Sequence, residues 1–176
     1  MAKQFIRSVL VSLVFLVLLG VGYPLLETGV AQLVFPYQAN GSLTSYGSME
    51  VGQQWGGTKF FHGRLDPYTP LATGGSNYGP TSKVLQQQTK KAIEMWHRLG
   101  VRPTEELVTN SGSGVDPDVS VQSALVQIPM VSKARGIPAT TLRNLIRKYT
   151  VSKQFGFLGE SYVNVLQLNV ALSKLK

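Results

Sequence analysis

Cysteine is absent from the 176 residues, so no disulfide staples the fold and no thiolate serves as nucleophile or metal ligand. Histidine is nearly absent as well. His62 and His97 stand far apart, and neither belongs to a recognisable metal-binding pattern. His97 follows Trp96 on a helix and reads as a packed or solvated ring, and His62 follows two phenylalanines in a turn-rich loop and reads as structural. Acidic side chains are scarce: 9 Asp and Glu face 17 Lys and Arg, for a net charge of +8. The basic residues are not interleaved with aromatics, which argues against a nucleic-acid partner. Repeats and low-complexity tracts are missing too.

What is present begins with an apolar run. Between Arg7 and Glu27 lie 19 residues without charge, SVLVSLVFLVLLGVGYPLL. At about 1.5 Å per residue this nearly spans a hydrocarbon core of about 30 Å, and GVAQLVF beyond Glu27 prolongs it. A secretory signal cleaved near Gly29-Val30-Ala31 is the competitor, but its apolar region would exceed the usual length of about 7 to 15 residues. A retained anchor is the better reading. Lys3 and Arg7 flank the run on one side, whereas the far side opens with Glu27 and has no Lys or Arg before Lys59. The positive-inside rule then places the N-terminus in the cytoplasm and residues from about 36 onward outside.

These features predict an α+β fold: residues 1–35 form a cytoplasmic tip and one transmembrane helix, and residues 36–176 form one small, loop-rich soluble domain. Residues 36–82 are rich in Gly, Ser, Thr, Asn and Pro, yet carry too many aromatics for a disordered tail. A helix is expected from about Ser82 to Leu99, with Thr81 or Ser82 as cap and Gly100 as stop. Leu107 to Thr109 reads as a short strand. Ser120 caps a helix from Val121 to about Arg135, kinked at Pro129 and closed by Gly136. A further helix covers Thr140 to Tyr149, YVNVLQL reads as a strand, and a short terminal helix follows.

The stretch LVTNSGSGVDPDVS, residues 107–120, invites a chemical reading. It lacks the Lys-Ser/Thr ending of a P-loop, and Ser111 stands where a nucleophile elbow needs Gly. As a calcium loop from Asp116 it has Val121 in place of the required Gly and Gln127 in place of the bidentate Glu. What remains is a Gly-rich turn, a Pro-pinned turn at Asp116-Pro117 and a capped helix. Asn110, Ser111, Gly112, Ser113, Gly114 and Asp116 are therefore candidates for contact with a partner, through backbone amides that hold an anion or grip a loop. Gln127 reads as an ordinary surface residue of its helix.

The strings GYPLLETGVAQLVFPYQANGSL, GGSNYGPTS, ELVTNSGSGVDPDVS, QIPMVSKARG and FGFLGESYVNVLQLNVAL, in this order, resemble the KdpC family, the C chain of the bacterial potassium-transporting Kdp ATPase. The sequence departs from the family pattern at Met130, usually Arg, and at Ser161-Tyr162, usually Pro-Arg, and is short around residues 43–55. The resemblance implies a non-catalytic subunit of a cell-membrane potassium uptake pump, with one transmembrane helix. The implied partners are a channel-like potassium-translocating subunit and an ATP-hydrolysing P-type subunit. No cofactor of its own is implied, and ATP enters only through the ATPase subunit. The family has also been described as a catalytic chaperone that raises the ATP affinity of that subunit, with a Gln at the position of Gln127 contacting nucleotide. The charge asymmetry places Gln127 outside, away from ATP, so the two expectations exclude each other in one assembled pump.

Overall fold

The computed structural model describes residues 1–69 and 71–175. The chain divides into two compact units, Met1–Leu43 and Thr44–Lys176.

The first unit is one long helix, α1 (Ala2–Val34), followed by the single turn α2 (Pro36–Ala39). Helix α1 is long and apolar enough to cross a membrane, and none of its side chains is buried by protein. Its middle, Leu18–Gly22, widens into a π-type turn in which the Tyr23 N–H reaches Leu18 O. Pro24 supplies the reason: lacking an N–H, it cannot close the ordinary bond to Gly20, and the ladder shifts to a wider ring.

The second unit is α+β, as the composition led us to expect. A two-stranded ribbon pairs β1 (Leu43–Thr44) with β2 (Gly47–Ser48). A long segment without regular structure leads to helix α3 (Lys83–Arg98). Ser82 caps it by accepting the Leu85 N–H at 3.4 Å, and Gly100 ends it in a left-handed conformation, φ +73°. Strand β3 (Asp118–Ser120) leads through Ser120, whose Oγ accepts the Ser123 N–H at 3.2 Å, into α4 (Val121–Leu125). Then come α5 (Ile128–Arg135), α6 (Ala139–Lys148), β4 (Thr150–Val151), β5 (Tyr162–Asn164) and α7 (Val165–Ser173). The three last strands form an antiparallel sheet in the order β3-β5-β4, with Val163 opposite both Val119 and Thr150.

Four sequence expectations are corrected. Leu107–Val108 belongs to a 3₁₀ turn, Glu105–Val108, rather than a strand; both residues are buried, which a two-residue apolar run cannot distinguish from a strand. The expected helix Val121–Arg135 is two helices, broken at Val126-Gln127. Pro129 therefore sits in the first turn of α5, where its missing N–H has no partner to lose, instead of kinking a continuous helix. YVNVLQL is strand only through Asn164, because Asn164 Oδ1 accepts the Gln167 N–H at 3.1 Å and so starts α7. Gln127, read as a surface side chain, has no exposed area at all.

The core joins α3 through Ala92 and Trp96 to Leu142, Ile146, Val163, Leu168 and Leu172. Phe61, from the irregular segment, is fully buried in it and anchors that segment at about 1.5–3 kcal/mol of burial. Phe60 beside it packs on Trp55, ring centroids 5.1 Å apart, and lies under the Arg135 guanidinium at 5.0 Å.

Candidate functional site

Of the residues singled out by the sequence, Gln127, Asn110, Ser111, Gly114 and Asp116 converge on one stretch of the irregular segment, Phe61 to Tyr68, whereas Gly112 and Ser113 lie against Gly74 and Gly75. Two buried carboxamides grip its start. Asn169 of α7 accepts the Phe61 N–H on Oδ1 at 2.9 Å and donates from Nδ2 to the Phe61 carbonyl at 2.8 Å. Gln127, at the break between α4 and α5, does the same one residue later. Its Oε1 accepts the His62 N–H at 2.8 Å, and its Nε2 donates to His62 O and to Ser123 O, both at 3.0 Å. Each amide thus imitates the edge of a neighbouring strand, and both N–H groups of Gln127 are occupied. A nucleotide contact through this side chain would require it to release His62.

Asp66 organises the other end. Its Oδ1 accepts the Ser111 N–H at 2.7 Å, and its Oδ2 accepts the Ser111 hydroxyl at 2.6 Å and the Asp116 N–H at 3.0 Å. The Ser111 Oγ in turn accepts the Gly114 N–H at 2.8 Å. This is a nest of donors around an anion, and the anion is the protein's own carboxylate, 7% exposed. The Asn110 side chain donates to Leu65 O, and its backbone carbonyl accepts from the Arg64 guanidinium at 3.1 Å. Gly74 donates to Ser113 O at 2.7 Å, and a Cβ on Gly114 would lie 2.6 Å from the Gly74 carbonyl; with φ +71°, the position requires glycine. Of the six expected partner-contact residues, Gly112 and Ser113 are exposed, Asn110 and Asp116 are half-buried, and Ser111 and Gly114 are buried.

Sequence reasoning did not find Arg64, Asp66, Glu106 or Asn169. Arg64 lies between Glu106 (3.9 Å) and Asp116 (4.0 Å). Glu106 also accepts from the Ser120 N–H at 3.0 Å and from the Ser123 hydroxyl, which meets Thr104 Oγ1 at 2.6 Å. Burial pushes the Glu106 carboxyl up, but the Ser123 and Ser120 hydrogen bonds and the Arg64 charge outweigh it and hold it below the usual value. Asp118 goes the other way. Burial raises it most, the Asn164 amide opposes this at 2.9 Å, and the nearby negative charges of Asp116 and Glu50 add to the rise. The only signal in the sequence was polarity, inside loop-like runs for Arg64, Asp66 and Glu106 and inside an apolar run for Asn169.

A cavity of about 310 Å³ opens beside this segment, with Trp55, His62, Arg64, Asp66, Tyr68 and Trp96 in its wall. A second, of about 640 Å³, lies between Gly74–Ser76 and the Gln88–Lys91 side of α3 and includes Asn110. Gln127 lines neither. Among the described residues no group of three or more His, Asp and Glu is placed to hold a metal ion.

His62 offers a pH test of this packing. Its ring meets Trp96 edge-on at 5.5 Å and its Nε2 bonds Gly57 O at 2.7 Å. Burial lowers its pKa below the ordinary 6.5, against a smaller opposing effect of the Gly57 hydrogen bond. The folded protein therefore binds this proton less readily than the unfolded chain. Stability is fully present above about pH 6.5 and is lost as pH falls from there through the folded-state pKa. Urea unfolding followed by tryptophan emission is expected to show that loss, and His62→Gln is expected to flatten it; an equal slope in the variant would assign the loss to other groups.

Comparison with known proteins adds the following. A family model described as the c chain of K⁺-transporting ATPases, KdpC, matches residues 5–174. A potassium-transporting ATPase KdpC subunit of Bacillus cereus (strain Q1) is 42% identical over 188 residues, covering 98% of this chain and 97% of that protein. The subunit of the same description from Bacillus anthracis is also 42% identical over 188 residues, with the same coverage. That of Acidobacterium capsulatum is 40% identical over 177 residues, 96% of each chain.

Proposed function

The chain belongs to the KdpC family, the c chains of K⁺-transporting ATPases, and on that premise we propose that it is an accessory subunit of a potassium uptake pump with no active site of its own. In this reading α1 anchors it in the bacterial cell membrane. The soluble unit lies outside, where it holds or tunes a channel-like potassium-translocating subunit in company with an ATP-hydrolysing subunit. The observation that carries the reading is that the family match takes in both the apolar helix and the domain, residues 5–174. Gln127, the side chain expected to contact nucleotide, favours it over the nucleotide reading, since its carboxamide is spent on the fold itself.

The orientation rests on Lys3 and Arg7 before the apolar run and on the lack of Lys or Arg between Glu27 and Lys59. The competing reading is a chaperone that raises the ATP affinity of the ATP-hydrolysing subunit through Gln127. It needs the domain in the cytoplasm and the carboxamide free of His62. One pair of measurements separates the readings. Deleting the chain from its host is expected to abolish high-affinity potassium uptake, and intact uptake would remove the subunit assignment. Protease added to spheroplasts is expected to digest a C-terminal tag. A protected tag would reverse the orientation and favour the nucleotide reading.

A further inference from the structure

The ten residues Val151–Glu160 are all exposed, and the middle of this run is apolar. Phe155 is 80% exposed, Phe157 73% and Leu158 47%. Loops with such side chains normally turn them inward, and here the turn is built to prevent that. The Gln154 and Leu158 backbones exchange two hydrogen bonds, each 2.9 Å, closing a tight hairpin that extends the β4–β5 connection. Phe155 adopts a left-handed φ of +53° and Gly156 one of +83°, so the chain reverses at the tip with both rings facing solvent. The display is preformed.

The base of the same loop is cationic. Lys153 begins the hairpin, and the last turn of α6 brings Arg147 and Lys148, both exposed. A shallow cavity of about 420 Å³, walled by Arg143, Arg147, Thr150 and Ser152, sets the two arginines at the foot of the loop. Against four cations between residues 143 and 160 stands one acid, Glu160. An apolar tip above a cationic collar is layered as a bilayer surface is layered: hydrocarbon beneath, anionic headgroups above. A pocket on a protein would fill with the rings and would have no need of the collar.

We propose that the Phe155–Leu158 tip inserts into the interface of a bilayer carrying anionic phospholipid, with Arg143, Arg147, Lys148 and Lys153 on the headgroups. The bilayer holding the pump is the membrane nearest this loop, because the same polypeptide carries α1. The contact would supplement that anchor and restrict how the soluble domain can turn about it.

The lack of native cysteine makes the test direct. Full-length Phe157→Cys, labelled with the environment-sensitive dye NBD, is reconstituted into vesicles of phosphatidylcholine with or without phosphatidylglycerol. Gln86→Cys, exposed on α3, serves as the wet reference. With phosphatidylglycerol present, the label at 157 is expected to shift to the blue and brighten several-fold over the reference, and to lose most of that gain at high salt. Phe155→Cys repeats the measurement at the neighbouring ring, so failure of one variant to fold leaves the other. Labels at both positions as wet as that at 86 would overturn the proposal. So would a shift indifferent to lipid charge, or one that arises only when the other pump subunits are added, which would assign the tip to a protein contact.

Discussion

Asn169→Leu is expected to destabilise the soluble domain by about 2–6 kcal/mol, from the sum of two buried backbone groups left unpaired at about 1–3 kcal/mol each. Leucine has the branching of asparagine and is somewhat larger, so no cavity is created and the loss is chiefly one of hydrogen bonds. The Phe61 N–H and C=O sit in the core with no water to replace the amide. Gln127→Leu removes the equivalent pair from His62 but in a partly wetted place, and is expected to cost less, about 2–4 kcal/mol. Because the two amides hold consecutive residues, releasing one loosens what the other grips. The double variant is expected to lose less than the sum, with a coupling of about 0.5–3 kcal/mol. Urea unfolding of the full chain in detergent, read through tryptophan emission, measures all three. Gln122→Leu, exposed on α4, is the control and should stay within about 0.5 kcal/mol of the parent. Additive losses would mean that Phe61 and His62 are held independently.

Asp66→Asn is the second large effect. It keeps the shape and removes the acceptor at one oxygen, so an NH₂ group must face a donor: the Ser111 N–H on one side, or the Ser111 hydroxyl and Asp116 N–H on the other. Hydrogen bonds to a charged acceptor contribute about 1.5–3 kcal/mol each, and the expected loss is about 2–4 kcal/mol. Amide hydrogen exchange gives the sharper readout. The Ser111 and Asp116 amides should lose protection in the variant while those of α6, which does not touch the nest, keep theirs. Uniform loss along the chain would show that Asp66 supports the whole domain rather than this loop.

These two residues also mark the limit of what the sequence disclosed. Helices α3 and α6 were legible because their apolar residues recur on one face and because Ser82 and Gly100 announce the ends of α3. The signal for β3 and β4 was too short to read, because strands of two or three residues do not complete enough alternations to establish a period, and β5 was read but carried too far. A terminal helix was expected, but the start of α7 at Val165 was hidden for a different reason. Val165, Leu166, Leu168, Ala171 and Leu172 are buried together with Asn169, so the helix presents no polar face to set against an apolar one. At the candidate site, Gln127 was singled out through a family resemblance and placed on the surface by propensity. Asn169 was overlooked inside a quoted string. A carboxamide that grips a backbone 65 or 108 residues away leaves no local trace, because its partner has no side-chain identity to read. The glycines of residues 111–114 were legible as a turn, whereas the carboxylate that the turn surrounds was not, since Asp66 lies in another segment.

The Asn169–Phe61 grip has a consequence in time. Residue 61 is made early and its partner 108 residues later, close to the end of the soluble unit. Local helices such as α3 and α6 can form as the chain lengthens, but the irregular segment cannot lock until α7 has been synthesised and has docked. The irregular segment therefore stays unlocked until nearly the whole soluble unit has been made. In the outside placement we propose for it, the unit can be threaded across the bilayer without first being pulled apart. A nascent chain arrested before residue 165 should remain open to protease along residues 49–82, and one arrested well beyond residue 176 should close.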